Sequence, residues 1–271
     1  MMSKKPKVLV LRTAGTNCDQ ETGFAFQYFG AQADFVHVNS LLSGKVQLRD
    51  YHILAIPGGF TYGDDIISGR ILANELKLRL GKDLQEFIDE EKLIIGICNG
   101  FQVLVRAGIL PGELQGKTVW TPKTEQTCTL TYNDSAKFED RWVHLKKSGG
   151  SVWVDGVDEL LYIPVAHAEG KFLTRNSDIL DQLISNGQVV FRYCLSDGSE
   201  PSYPHNPNGS VEHIAGITDR TGRVLGMMPH PERHFLSRQH PFWTRMDRKG
   251  SLGQGAKIFE NGVRYVKDHL L

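Results

Sequence analysis

Short apolar runs separated by helical stretches dominate the first hundred residues. Residues 7–11 read as a β-strand and residues 20–29 as the helix after it, with Ala25, Tyr28 and Phe29 on one face. Thr16, Asn17, Cys18 and Asp19 offer capping side chains before that helix, and Asp19 is the expected cap. Residues 34–38 and 51–56 read as strands two and three, the latter stopping at Pro57-Gly58-Gly59-Phe60, so the chain opens β-α-β-β. Leu80, Leu84, Phe87 and Ile88 follow the i, i+4, i+7, i+8 spacing of a helix face and lead into the strand Leu93-Ile94-Ile95.

From residue 112 to residue 153 the pattern turns polar and β-rich. Residues 119–120, 128–132, 141–145 and 151–154 read as antiparallel strands on the edge of the sheet. Two further strands, in 163–170 and 189–194, bracket a helix near 179–184. Residues 202–210 are dense in turn formers and read as a loop at the surface or at a site rim. Residues 214–218 and 223–228 form a hairpin about Asp219-Arg220-Thr221-Gly222. Phe259, Val263, Val266 and Leu270 place a final helix on the core after a glycine-rich break at 250–255. The pattern predicts an α/β fold, an open, mostly parallel sheet flanked by helices with antiparallel edge insertions. No repeat or linker divides it, so residues 1–271 are expected to be a single domain.

Charge narrows the partners. Lysines plus arginines equal aspartates plus glutamates, 31 each, so no net field draws the chain to nucleic acid or an anionic membrane. There is no apolar run near the roughly 18 residues of a membrane span, and Met1-Met2-Ser3-Lys4-Lys5 precedes no signal-peptide core, so a cytoplasmic location is expected. The 4 cysteines, at positions 18, 98, 128 and 194, are too scattered for a disulfide framework or a CxxC site.

One of those cysteines carries candidate chemistry. In Gly96-Ile97-Cys98-Asn99-Gly100 an apolar strand turns sharply into a helix, the nucleophile-elbow arrangement with cysteine in the nucleophile position. Glycine at 96 and 100 is expected to avoid crowding the neighbouring strand and to supply the unusual dihedrals of the bend. Cys98 then lies at a helix N-terminus, which favours thiolate. Taken alone the motif also suits a small buried hydrophobe. Pro57-Gly58-Gly59 can expose amides for an oxyanion hole, or can be an ordinary turn. Pro229-His230-Pro231-Glu232 supplies a base and its orienting acceptor: Pro231 biases His230 to extended backbone, where residues i and i+2 face the same way. His230 and His234 are spaced like zinc ligands but lack the acid of H-E-x-x-H, so no metal is expected.

With nucleophile, histidine and glutamate in that order, the chain resembles the class I (triad) glutamine amidotransferases, whose sheet is flavodoxin-like. Gly15-Thr16-Asn17-Cys18-Asp19, Pro57-Gly58-Gly59-Phe60-Thr61-Tyr62-Gly63-Asp64, Cys98-Asn99-Gly100-Phe101-Gln102, Asn206-Pro207-Asn208-Gly209-Ser210 and Met227-Met228-Pro229-His230-Pro231-Glu232-Arg233 are most similar to the glutaminase subunits of phosphoribosylformylglycinamidine synthases. The resemblance implies a glutamine amidotransferase type-1 domain with Cys98, His230 and Glu232 as catalytic residues and backbone amides of Gly59 and Asn99 as oxyanion donors. Gln102, Phe138, His167, Glu169 and Asn208 match family pocket positions. It further implies hydrolysis of L-glutamine and delivery of ammonia to a large synthetase subunit, with a small third subunit in many cases, for purine biosynthesis. No cofactor is expected in this chain, which has no Walker loop; ATP and Mg belong to the partner. The family's N-R-S-x-R-F-E stands here as Asn133-Asp134-Ser135-Ala136-Lys137-Phe138-Glu139, and its H-G-E-G as His167-Ala168-Glu169-Gly170. A stand-alone cysteine amidase or DJ-1-like enzyme and a binding module with a retired site are the competing readings.

Overall fold

A computed structural model describes residues 4–64, 67–246 and 252–271. The start of the glycine-rich break, at 250–251, and Met1-Met2-Ser3 lie outside them. The first strands are β1 (Lys7–Arg12), β2 (Gln32–His37), β3 (Ile53–Ile56) and β4 (Leu93–Ile97), and β11 (Val224–Met227) closes the strand series. Between them lie β5 (Cys128–Thr131), β6 (Glu139–Lys147), β7 (Leu160–His167), β8 (Lys171–Thr174), β9 (Val189–Cys194) and β10 (Ile214–Thr218). Among the described residues the main sheet has nine strands in the order β2-β1-β3-β4-β11-β10-β9-β6-β7. Strands β2 to β11 pair in parallel, and β11 to β7 pair antiparallel.

The two parts bury their strands differently. β3, β4 and β11 are buried along their whole length, as strands covered on both faces must be. β7 alternates buried and half-buried positions, the period-2 pattern of a strand with one drier face. Helices α1 (Asp19–Tyr28), α2 (Val38–Leu42), α3 (Arg70–Arg79), α4 (Gly81–Asp89), α5 (Asn99–Arg106), α6 (Ser177–Ser185) and α7 (Ala256–His269) complete the fold. Phe87 of α4 and Phe259, Val263 and Val266 of α7 are buried, as the helical spacing predicts.

Several expectations need correction. Asp19 is not the cap of α1; Cys18 holds that position, and Asp19 is buried against Arg12, Oδ2 to Nε 2.7 Å. Tyr28 is exposed, and Phe26 fills the core in its place. Residues 119–120 form no strand: the Trp120 indole donates to Ala107 O at 3.3 Å and its ring is fully buried. Residues 152–154 are a 3-10 turn in which Trp153 packs on α7, where a Cβ on Gly262 would stand 2.5 Å from its ring. Strand β5 leaves the main sheet and pairs with β8. In the last three cases a tryptophan or a distant strand decides the geometry, and neither is visible in a local window.

The register sets the site. Ile56 stands opposite Gly96, and Ile97 opposite Met227, so β3, β4 and β11 end level with one another. Three loops therefore leave the sheet at one carboxyl edge, where open α/β sheets bind ligands.

Candidate active site

The elbow forms as the spacing predicts, but its strain sits on a different residue. Cys98 itself takes φ 52° and ψ −105°, while Gly96 and Gly100 have no positive φ. Such a backbone costs roughly 1–3 kcal/mol and persists only where surroundings enforce it. The glycines serve by close approach instead. A Cβ on Gly100 would lie 1.9 Å from Ile56 O of β3, and one on Gly96 would lie 2.6 Å from Gly100 O. Helix α5 thus packs directly on the strands beside it. The Cys98 amide donates to Met227 O at 2.8 Å, which locks the elbow to the end of β11.

From that end the chain passes Met228 and Pro229 to His230, whose φ of −102° and ψ of 90° are extended, as expected before a proline. The His230 amide donates to Pro164 O of β7 at 2.8 Å. Its Nδ1 lies 2.6 Å from Glu232 Oε1, and both side chains are buried. Burial alone would lower the His230 pKa, but the Glu232 carboxylate and then Cys98 raise it well above 6.5. Nδ1 therefore carries the proton shared with Glu232, and Nε2 makes no hydrogen bond within the described residues. As a thiol, Cys98 reaches Ala166 O at 3.6 Å. Cys98 is 5 % exposed and its sulfur sits at the N-terminus of α5.

The Pro57-Gly58-Gly59 turn closes over the imidazole. Gly59 has φ 145°, and its neighbours make the flanking backbone bonds, Phe60 N–H to Gly15 O and Asn17 N–H to Gly58 O. The Gly59 amide takes no part in that ladder. A Cβ on Gly58 would lie 2.7 Å from His230 Cε1, so only glycine lets the ring approach this closely.

The remaining candidates form a second ring around the elbow. Gln102 is buried on α5, accepts from Asn99 Nδ2 at 2.9 Å and donates to Glu169 O. The Glu169 carboxylate meets Arg106 at 3.4 Å, and that guanidinium also donates to Ser68 O and Leu130 O. His167 is buried with its Nδ1 3.1 Å from Asn133 Oδ1, and burial pushes its pKa down to about 3. Asn208 is fully buried: its Nδ2 donates to the Tyr193 hydroxyl at 3.1 Å, and its Oδ1 accepts from Ser210. Phe138 stands apart, 48 % exposed and stacked on Phe60 with centroids 6.3 Å apart.

Two residues beside the site were missed by sequence reading. Asn133 accepts from Gly170 N–H at 3.0 Å and donates to Lys137 O and His167 O, so it ties the 167–170 turn to its own loop. Cys18 places its sulfur 3.9 Å from His230 Nδ1. Both lie in the motifs quoted above, yet nothing local shows what they touch. Ligand atoms of Cys18, His230 and Glu232 come within 4.8 Å of one another, close enough for a metal. The Arg233 guanidinium, donating to Cys18 Sγ at 3.1 Å, puts a positive charge where such an ion would need a thiolate. His234 turns its Nδ1 to Tyr162 O at 2.8 Å instead of joining the cluster.

A cysteine at a strained elbow, an imidazole beside it and a carboxylate behind the imidazole define the triad class of amidohydrolysing enzymes. Residues 5–266 match the CobB/CobQ-like glutamine amidotransferase domain, and the chain belongs to that family. It is 46 % identical over 266 residues to phosphoribosylformylglycinamidine synthase subunit PurQ of Dehalococcoides mccartyi, covering 97 % of this chain and 98 % of the relative. It is 45 % identical over 274 residues to the PurQ subunit of Methanococcus maripaludis strain C5, covering 96 % and 98 %. A chain in the structure of PurLQS from Thermotoga maritima superposes with TM-score 0.69 at 28 % identity, covering 97 % of this chain and 100 % of that one. A glutamine amidotransferase of Thermotoga maritima, 15 % identical with TM-score 0.54 and covering 98 % of this chain and 99 % of its own, shares the fold.

Proposed function

We propose that this chain is the glutaminase subunit of a phosphoribosylformylglycinamidine synthase, a single glutamine amidotransferase domain that acts in the cytoplasm. It hydrolyses L-glutamine and supplies ammonia to a large ATP-dependent synthetase subunit, with a small third subunit completing the complex. The chain needs no cofactor of its own; ATP and Mg serve the synthetase. Among the described residues no helix is long and apolar enough to cross a membrane. The observation that carries the reading is the buried His230–Glu232 pair at 2.6 Å beside an elbow cysteine.

The chemistry follows from that arrangement. Cys98 thiolate adds to the side-chain amide carbon of glutamine, and the developing oxyanion is met by the Gly59 and Asn99 amides, a donor of this type being worth about 3 kcal/mol. His230, charged because Glu232 holds its imidazolium, gives its Nε2 proton to the departing nitrogen, and ammonia leaves with a thioester behind. The neutral imidazole then takes a proton from water as its oxygen attacks the thioester. Glutamate departs, and thiolate and imidazolium are restored. Gln102, His167, Glu169 and Asn208 shape the glutamine pocket through the network around α5, and Phe138 stands at its rim.

Cys98→Ala in the assembled complex separates the two half-reactions. Glutamine-dependent amidine formation should fall to background, at least about 10³-fold, while ammonia-dependent synthesis continues. Loss of both activities would remove the role given to Cys98.

A further inference from the structure

Cys18 contacts the catalytic pair without any place in the reaction. Its amide donates to Gly58 O at 3.2 Å and its carbonyl accepts from Thr22 at the start of α1, so its backbone is held at both ends. The residue is 1 % exposed, and its sulfur lies 3.9 Å from His230 Nδ1 and approaches Asn17 Oδ1 at 3.1 Å. Burial pushes its thiol pKa up, so the sulfur stays neutral. That neutral sulfur accepts Arg233 Nη2 at 3.1 Å, while Arg233 Nε lies 3.7 Å from Glu21 Oε1 on α1.

Arg233 follows Glu232 directly in the chain, and Glu232 Oε2 is buried with no hydrogen-bond partner among the described residues. A guanidinium paired with that oxygen would draw the carboxylate's charge away from the imidazole. We propose that Cys18 is a positioning residue: its sulfur, with Glu21, holds Arg233 aside and so keeps the full charge of Glu232 on His230. This inference rests on the glutaminase reading, and it assigns Cys18 no contact with substrate.

The groups around the ring give the sign. Glu232 and Cys98 raise the affinity of His230 for its proton, and Cys18 adds to them. From the end of β7 the ring is faced by His167, which burial and His230 keep neutral. His234 turns to Tyr162 O, and α7 meets the segment through Gly255, against the Pro231 carbonyl. Arg233 is the cation whose displacement would alter the pair. Released toward Glu232, it lowers the imidazolium pKa, and the alkaline limb of activity moves to lower pH.

The test measures glutamine hydrolysis by the assembled complex across pH. Cys18→Ser keeps an acceptor for Arg233 and should follow the wild-type profile. Cys18→Ala should lower the alkaline limb of kcat/KM by about half a pH unit or more. Should Cys18→Ala not fold, Cys18→Val fills the space without accepting. Cys18→Ala with Arg233→Gln should bring the limb most of the way back to wild type, short only of the sulfur's own small contribution to His230, which a packing defect would not do. An unmoved limb in the single variant, or a shift that persists undiminished in the double variant, overturns the proposal. The pH dependence of Cys98 alkylation by a glutamine-like chloroketone, read by mass spectrometry on the isolated chain, gives the same comparison without turnover. Absence of any wild-type glutamine turnover in the complex would instead fail the glutaminase reading.

Discussion

The two halves of the sheet each bury one histidine near the elbow, and they hold the two rings in opposite charge states. His230, at the end of β11 in the parallel half, is raised well above 6.5 because Glu232 and Cys98 outweigh its burial. His167, at the end of β7 in the antiparallel half, is lowered to about 3 by burial, with the positive charge of His230 adding to the effect. Its polar partner is the neutral amide of Asn133. Equal burial therefore does not set the charge; the partner does. In the proposed reaction the parallel half supplies the reacting groups, from strand ends brought together by close backbone approach. The antiparallel half supplies hydrogen-bonded walls, a neutral His167 on Asn133 and Glu169 paired with Arg106.

That contrast can be broken most severely at Gly100. A Cβ there would stand 1.9 Å from a strand carbonyl, so Gly100→Ala should cost about 3 kcal/mol or more in urea denaturation and abolish turnover. A stable, active variant would mean that close approach does not build the elbow. The histidines offer a second, smaller test through pH. His230 has its folded pKa raised, so its stabilisation is complete below the unfolded value near 6.5 and fades as pH rises through the folded pKa. The advantage of wild type over His230→Gln should therefore shrink in alkali. For His167 the unfolded chain takes up a proton near 6.5 while the folded chain refuses it until about 3. Wild type should then lose about 2 kcal/mol relative to His167→Gln between pH 6.5 and about pH 5. Parallel pH curves for both variants would erase the distinction. Smallest of all, Phe138→Ala removes a half-exposed stacked ring and should cost under about 1 kcal/mol, with KM for glutamine raised a few-fold and kcat held. A large fall in kcat would move Phe138 from the rim into the reacting site.

The same division explains what the sequence disclosed. Gly96, Cys98 and Gly100, and His230 with Glu232, are local patterns, and the parallel half was legible because its chemistry is written within a few residues of each strand end. Even there the reason for the glycines differed, since Cys98 bears the positive φ and the glycines only make room. The antiparallel half was less legible. Strand β5 pairs with β8 some forty residues away, a choice no window of ten residues contains. Trp120 and Trp153 looked like strand residues because aromatic side chains favour strands, yet each is a core plug tied by its indole to a distant carbonyl. Cys18 was read as one of several capping candidates and as part of a motif, because its partners at the site lie more than two hundred residues downstream.

The bond from the Cys98 amide to Met227 O carries one last consequence. Cys98 follows the last pair of the β4–β11 ladder, and His230 comes after Met227 with its own amide tied to Pro164 O of β7, so sulfur and imidazole are each anchored by a backbone bond to a neighbouring strand end. Pulling them apart would cost one or both of these bonds, each already inside the closed sheet edge.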